Sequence, residues 1–480
     1  MLLRRFYDTK LAQASYLVGC QATGEALVVD PNRDAAQYVD AAASEGLRIT
    51  HVTETHIHAD FVSGSRELAA VTGARLYLSA EGGSDWQYAF AKEAGAVLLR
   101  DRSSFDVGRI RVDALHTPGH TPEHLSFMIT DTAATDRPMG VFTGDFIFVG
   151  DVGRPDLLEK AAGVTGTMEA SARQLHASLQ RFRTMPPWLQ LWPGHGAGSA
   201  CGKALGAVPQ TTLGYELVVN WGLTTTNEEE FVRDVLEGQP APPKYFAQMK
   251  RINREGPRLL AGQPAPRALG PAELMAALDR GALVVDTRPA DAFAAGHVPG
   301  TINIPLNESF TGWAGWLIPY DADFHLIVAD GGRLLDEALR DLAMIGLDRI
   351  GGWFGPEAVT GWAAAGRQLA EVPQVRPADV ADAVRAGEVT VIDVRAPSEW
   401  DAGHLPGVVN IPLGSLADRL DEIPADRPVV LQCQGGGRSA IAASLLQAHG
   451  FPAAANLTGG FRAWEAAGLP VDEGDLPVPA

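Results

Sequence analysis

Short runs of valine, isoleucine and leucine recur along this chain, separated by stretches in which apolar residues return every third or fourth position. In the first 255 residues the runs Leu27–Asp30, Arg48–Thr53, Arg75–Leu78, Ile110–Leu115 and Gly140–Thr143 predict strands. The stretches Ala36–Glu45 and Met168–Arg183 predict helices between them. Strands alternating with helices predict an α/β fold. The periodicity fits two layers or four.

The last 220 residues contain an internal repeat. Val285-Asp286-Thr287-Arg288, Gly296-His297-Val298-Pro299-Gly300 and Asn303-Ile304-Pro305 return as Ile392-Asp393-Val394-Arg395, Gly403-His404-Leu405-Pro406-Gly407 and Asn410-Ile411-Pro412. The offset then shortens by four residues, which places an insertion around Thr311 to Tyr320 in the first copy. Each copy alternates strand-like runs with helical patterns, such as Asp336–Leu342 and Ala440–Leu446, so each is expected to be a parallel sheet covered by helices. Breaker-rich segments, Gln239 to Pro266 and the stretch near Glu371-Val372-Pro373, mark the boundaries. Three domains are expected, over 1–255, 266–371 and 373–480.

Composition narrows the function. With 46% hydrophobic and 20% charged residues over 480 positions, the chain has the make-up of a folded globular protein. A formal charge of −19 repels a phosphate backbone, so no nucleic-acid partner is expected. No apolar run approaches the roughly 20 residues of a membrane span. The start, Met1-Leu2-Leu3-Arg4-Arg5, lacks an apolar core followed by a cleavage site, and a cytoplasmic location without membrane contact is expected. Three cysteines, Cys20, Cys201 and Cys433, are too few for a disulfide scaffold; one with a role should act as a thiol.

Histidines and aspartates cluster directly after the predicted strands: Thr55-His56-Ile57-His58-Ala59-Asp60-Phe61, Thr117-Pro118-Gly119-His120, Thr143-Gly144-Asp145 and Trp192-Pro193-Gly194-His195. Strand ends in α/β sheets converge on one crevice, and imidazole with carboxylate is a donor set for zinc and non-haem iron. In order and spacing these four pieces resemble the metallo-β-lactamase superfamily, which implies an αββα sandwich with a metal at one edge. The chain departs from that pattern at Phe61, where dinuclear members carry a histidine and a phenyl ring offers no lone pair.

A mononuclear site is therefore expected, and Gly144-Asp145 through Gly153-Arg154 resembles the persulfide dioxygenase branch. That resemblance implies His56, His120 and Asp145 as ligands of a single Fe(II). Arg154 is expected either to hold an anionic substrate or to form a structural salt bridge. His58 leaves an alternative open. In hydrolytic relatives this second histidine binds zinc, which would make the chain a zinc-dependent glyoxalase-type thioester hydrolase.

In the last domain Cys433-Gln434-Gly435-Gly436-Gly437-Arg438 lies between a strand-like run and a helical pattern. Glycines at 435, 436 and 437 let successive backbone N–H groups turn inward, and with the helix N-terminus they form a cradle for negative charge on sulfur. Together with Asp393-Val394-Arg395 and Gly403-His404-Leu405-Pro406-Gly407, the loop resembles a rhodanese domain. The resemblance implies catalysis by Cys433 and Arg438 and substrate binding at Gly435, Gly436 and Gly437. The first copy has Asp330-Gly331-Gly332-Arg333 at this place and is expected to be a degenerate rhodanese-like spacer or docking surface. Cys201, after His195, is expected either to relay sulfur or simply to pack, and Cys20 to lie in the core.

The whole resembles multidomain persulfide dioxygenase–rhodanese fusions of sulfide detoxification. That implies oxidation of a low-molecular-weight thiol persulfide by O2, exchange of sulfane sulfur with sulfite or thiosulfate at Cys433, and assembly as a homo-oligomer.

Overall fold

Alternate residues of the expected strands face two different cores. A computed structural model places residues 1–157, 159, 166–203, 205–239, 242–424 and 426–473. Pro240 and Ala241 of the expected linker, and the last seven residues of the expected third domain, lie outside the described residues. By its contacts the chain divides into two compact units, one built on Met1–Pro264 and the other on Ala265–Asp341 with Leu347–Ala480.

In the first unit two six-stranded sheets each follow chain order. One runs Leu2–Asp8, Gln13–Cys20, Glu25–Val29, Arg48–Thr53, Arg75–Ser79, Val97–Leu99. The other runs Ser104–Val107, Ile110–His116, Leu125–Asp131, Gly140–Gly144, Gln190–Pro193, Thr211–Thr212. Gln13–Cys20 is buried at every position. Ala14, Tyr16, Val18 and Cys20 pack against Phe127, Phe142 and Trp192 of the other sheet, whereas Leu17 turns to Val28, Tyr38 and Leu68 beneath the helices Ala35–Ser44 and Ser65–Thr72. The second sheet likewise sends Val141 and Leu191 to Leu175, Leu179 and Phe182 of the helix Met168–Phe182. A period-two strand with apolar residues on both faces must be covered twice. This makes the unit a four-layer αββα sandwich, and it explains why apolar and polar positions do not alternate.

The breaker-rich stretch before residue 257 contains a helix, Phe246–Glu255, whose Phe246, Met249 and Asn253 are buried. Positions i, i+3 and i+7 form one helical face, so this segment packs as part of the first unit. Among the described residues no helix is long and apolar enough to cross a membrane.

The second unit holds two parallel sheets. Their orders are Ile302–Asn303, Leu283–Asp286, Phe324–Ile327, Ile350–Phe354, and Gln374–Val375, Ala455–Leu457, Val429–Gln432, Thr390–Asp393, Val409–Asn410. The repeated motif is scaffold. Asn303 Nδ2 donates to the carbonyls of Asp286 and Arg288 at 2.9 Å, and Asn410 Nδ2 to those of Asp393 and Arg395 at 2.9 and 3.0 Å. His297 stacks on Phe293 and His404 on Trp400, each pair with ring centroids 3.8 Å apart.

Candidate functional site

The loops that follow four strands of the first unit, drawn from both sheets, bring His56, His58, His120, Asp145 and His195 together, all of them buried. Donor atoms of His56, His120 and Asp145 lie within 4.8 Å of one another. His120 Nε2 is 3.4 Å and His56 Nε2 3.9 Å from Asp145 Oδ2.

Each ring is oriented through its other nitrogen. His120 Nδ1 donates to the Arg154 carbonyl at 3.0 Å, and His195 Nδ1 to the Ala12 carbonyl at 3.1 Å. The Thr55 hydroxyl donates to Asp30 and so accepts from His56 Nδ1, 3.0 Å away. With the proton on Nδ1, Nε2 of each ring presents a lone pair to the cluster. Burial, with the neighbouring imidazoles of His58, His120, His124 and His195, holds His56 well below its ordinary pKa. Burial also lowers His120, against the pull of Asp145. Neutral imidazoles are the form that ligates.

Gly194 makes room for the carboxylate, and Gly144 for Thr55 and His124 beside it. Gly144 has φ +48°, and a Cβ there would fall 2.5 Å from Thr55 Oγ1; a Cβ on Gly194 would fall 2.8 Å from Asp145 Oδ1. The Asp145 N–H donates to His124 Nε2 at 3.1 Å.

His56 Nε2, His195 Nε2 and both carboxylate oxygens of Asp145 are buried and make no hydrogen bond. Leaving such atoms unpaired is costly, and a cation at their centre would satisfy them. The donor set therefore fits a metal ion.

His58 stands apart. Its Nε2 is 3.1 Å from Asp30 Oδ1. Burial disfavours its charge, but Asp30, with Asp60 and Glu54 nearby, raises its pKa to about 9. Phe61 is fully buried, its ring centroid 4.4 Å from that of His58. Asp60 and His195, 3.2 Å apart, meet Cys201 instead. Burial, with Asp60 and Asp145 close by, pushes the Cys201 thiol well above its ordinary pKa, so it keeps its proton.

Of the two expectations for Arg154, substrate holding or a structural salt bridge, the structure shows the salt bridge, with the side chain enclosed. Its Nε and Nη2 donate to Asp156 at 3.0 and 2.7 Å and its Nη1 to the Ala200 carbonyl at 3.0 Å. A guanidinium committed in this way fixes the loop that carries the His120 acceptor, and its donors face protein. Sequence reading also missed Asp30, His124 and Asn253. Asn253 Nδ2 donates to the carbonyls of His58 and Phe61 at 2.8 Å, and its Oδ1 accepts from Ser63 N at 2.9 Å, clamping the metal loop. Their one available signal was a polar residue at a strand end or on an apolar helix face.

In the second unit Cys433 follows the strand Val429–Gln432 and is 1% exposed. Its Sγ accepts from Gly436 N at 3.2 Å and Ser439 Oγ at 3.3 Å. Of Gly435, Gly436 and Gly437, only Gly436 takes positive φ, at 95°, and the helix begins at Gly437. Gly460, unremarked in the sequence, lets the following helix close on the loop: a Cβ there would fall 2.0 Å from the Cys433 carbonyl, which accepts from Phe461 N. Arg438 forms a two-bond pair with Glu399 at 2.6 and 2.7 Å.

Comparison with known proteins agrees with this division. Residues 8–195 match the metallo-beta-lactamase superfamily, and residues 270–349 and 376–467 each match the rhodanese-like domain. A metallo-beta-lactamase structure from Staphylococcus aureus subsp. aureus COL is 42% identical, aligns over 74% of this chain and 99% of that one, and superposes with a TM-score of 0.66. The hydroxyacylglutathione hydrolase of Rhodospirillum rubrum is 30% identical over 185 residues, 38% of this chain. The chain spans 60% of that hydrolase's length. The mitochondrial persulfide dioxygenase ETHE1 of Bos taurus is 28% identical over 199 residues, 41% of this chain and 68% of that protein.

Proposed function

This chain belongs to the metallo-β-lactamase superfamily and carries rhodanese-like domains behind that fold, and from this premise we propose that it is a mononuclear iron persulfide dioxygenase joined to a sulfurtransferase. His56, His120 and Asp145 would hold a single Fe(II), two imidazoles and a carboxylate being the donor set of non-haem iron enzymes that act on dioxygen. When bound, the iron supplies coordination positions at which dioxygen and a sulfur anion come together.

The chain's own groups hold the ligands and keep out bulk water. The Arg154 carbonyl and Thr55 fix the imidazole tautomers, His124 and the glycines at 144 and 194 place Asp145, and the rings of Phe61 and Phe148 flank His58 and His195. The net reaction converts a thiol persulfide, O2 and water to the thiol, sulfite and two protons. The terminal sulfur is oxidised by four electrons and O2 is reduced by four. Cys433, cradled by Gly436 N and Ser439 Oγ, would exchange sulfane sulfur with sulfite or thiosulfate.

One observation carries the reading: donor atoms of His56, His120 and Asp145 converge, those of His56 and Asp145 buried without a hydrogen bond, while His58, the ligand a hydrolase would add, is bound to Asp30. The match to the Bos taurus persulfide dioxygenase supports it. Elemental analysis beside oxygen uptake tests it. The expected result is one iron per chain and one O2 consumed per sulfite formed from glutathione persulfide. Bound zinc with no oxygen uptake overturns it.

A further inference from the structure

The unit containing Cys433 has a cavity of about 620 Å³ that the catalytic copy does not enclose alone. Gly437 and Arg438, which close the Cys433 loop, line one side with Ile441. The opposite wall comes from the copy without a cysteine, through Pro289, Pro305, Leu306, Trp313 and Leu334.

This wall is built into the packing of the two copies. The four-residue insertion seen in the sequence falls at the helix Phe310–Leu317. Its Trp316 ring lies directly on Gly414 of the second copy, where a Cβ would fall 2.3 Å from the ring. Trp313 is three residues earlier, on the same helical face, and lines the cavity. Asn303 N of the first copy donates to Ser444 Oγ of the second at 2.9 Å. The helix Gly437–Ala448 buries Ile441, Ala442, Ala443, Leu445 and Leu446, covered on several sides at once.

The lining chemistry selects an occupant. Its one charged group is Arg438, already paired in two hydrogen bonds with Glu399. Little uncompensated positive charge is left in the cavity for a small inorganic dianion such as thiosulfate, whose sulfane sulfur would be met at the Cys433 cradle of Gly436 N and Ser439 Oγ instead. The remaining surface is apolar or neutral, with Asn307 and Ser309 as the polar edge, and the volume lies within the range of small-molecule sites.

We propose that the first copy is the specificity wall of the second, and that this cavity binds the body of an organic thiol that exchanges sulfane sulfur with Cys433. The inference rests on the sulfurtransferase reading above. In the first step the Cys433 thiolate attacks the sulfane sulfur of thiosulfate; a new S–S bond forms, the old one breaks, and sulfite leaves with its electron pair. In the second, the organic thiolate, having given its proton to solvent, attacks the outer sulfur. An organic persulfide forms and the Cys433 thiolate leaves, with no net oxidant required.

The test uses the full chain, thiosulfate as donor, and glutathione or cyanide as acceptor. For Trp313→Ala, kcat/KM with glutathione is expected to fall about tenfold, mainly through KM, and with cyanide by less than about threefold, the loss of one aromatic wall. Trp313→Phe should recover most of the glutathione activity. Leu306→Ser, outside the inserted helix, should show the same split and serves if Trp313→Ala fails to fold. Equal losses with both acceptors, or no loss with either, overturn the proposal. A wild-type protein that transfers sulfur to cyanide but not to glutathione overturns this inference alone; one that transfers to neither overturns the sulfurtransferase reading beneath it.

Discussion

In the first rhodanese-like copy Arg288 pairs with Asp286 at 2.7 Å and also donates to the Gly296 carbonyl; in the second, Arg395 pairs with Asp393 at 2.7 Å and donates to the Gly403 carbonyl. These strand-end bonds recur in both copies, and Arg395 adds one from Nη1 to Gln434 Oε1 at 3.2 Å. The loops they support differ. In the second copy Gly436 turns its N–H onto Cys433 Sγ, and the segment at Gly460 closes against it. In the first copy the shorter loop Asp330-Gly331-Gly332-Arg333 lies under the ring of Trp353, which a Cβ on Gly331 would meet at 2.4 Å. A repeat can therefore keep the whole scaffold while one strand-to-helix turn decides whether it carries a cradle. The copy that lost the cradle remains useful as a wall.

The largest expected effect separates the two chemistries. Cys433→Ser should abolish thiosulfate:cyanide transfer, by at least about 10³-fold, as removing a nucleophile does, while oxygen uptake with glutathione persulfide persists. His120→Ala should do the reverse. Loss of both activities in either variant would mean that the two sites are one.

Next, restoring the missing atom should not restore function. Asp330→Cys placed in a Cys433→Ser background is expected to leave sulfur transfer undetectable, because the shorter loop has no counterpart to Gly436 and Ser439. Measurable turnover would show that the side chain alone, and not the turn, distinguishes the copies.

A third experiment compares the frames. Asp393→Ala strands the Arg395 guanidinium, 1% exposed, and should cost about 3–5 kcal/mol of the second unit's unfolding free energy. Asp286→Ala strands Arg288, 13% exposed, and should cost less because solvent reaches it. Denaturant melts of both variants give the order.

The smallest effect concerns pH. Burial lowers the pKa of His297 to about 4. The unfolded chain takes up this proton near pH 6.5 and the folded chain does not. The contribution is therefore present above about pH 6.5 and is lost as pH falls toward 4. His297→Gln should flatten the stability profile of the second unit in that window; an unchanged slope would assign the acid sensitivity to other groups.

The sequence by itself determined the repeat, the strand ends bearing His56, His120 and Asp145, the cysteine loop, and the gap at Phe61, because each of these is local. Strand–loop units keep their spacing whatever packs around them. Periodicity left two layers or four open, since Gln13–Cys20 is buried on both faces and so carries no polar alternation, and the tertiary structure shows the four that the family resemblance implied. It also decided that His58 belongs to Asp30, that Arg154 reaches the Ala200 carbonyl, and that Asn253, nearly 200 residues away, holds the metal loop. A side chain's identity announces which bonds it can make. Which of them it does make depends on partners brought close by the packing of sheets, and their separation along the chain leaves no period to read.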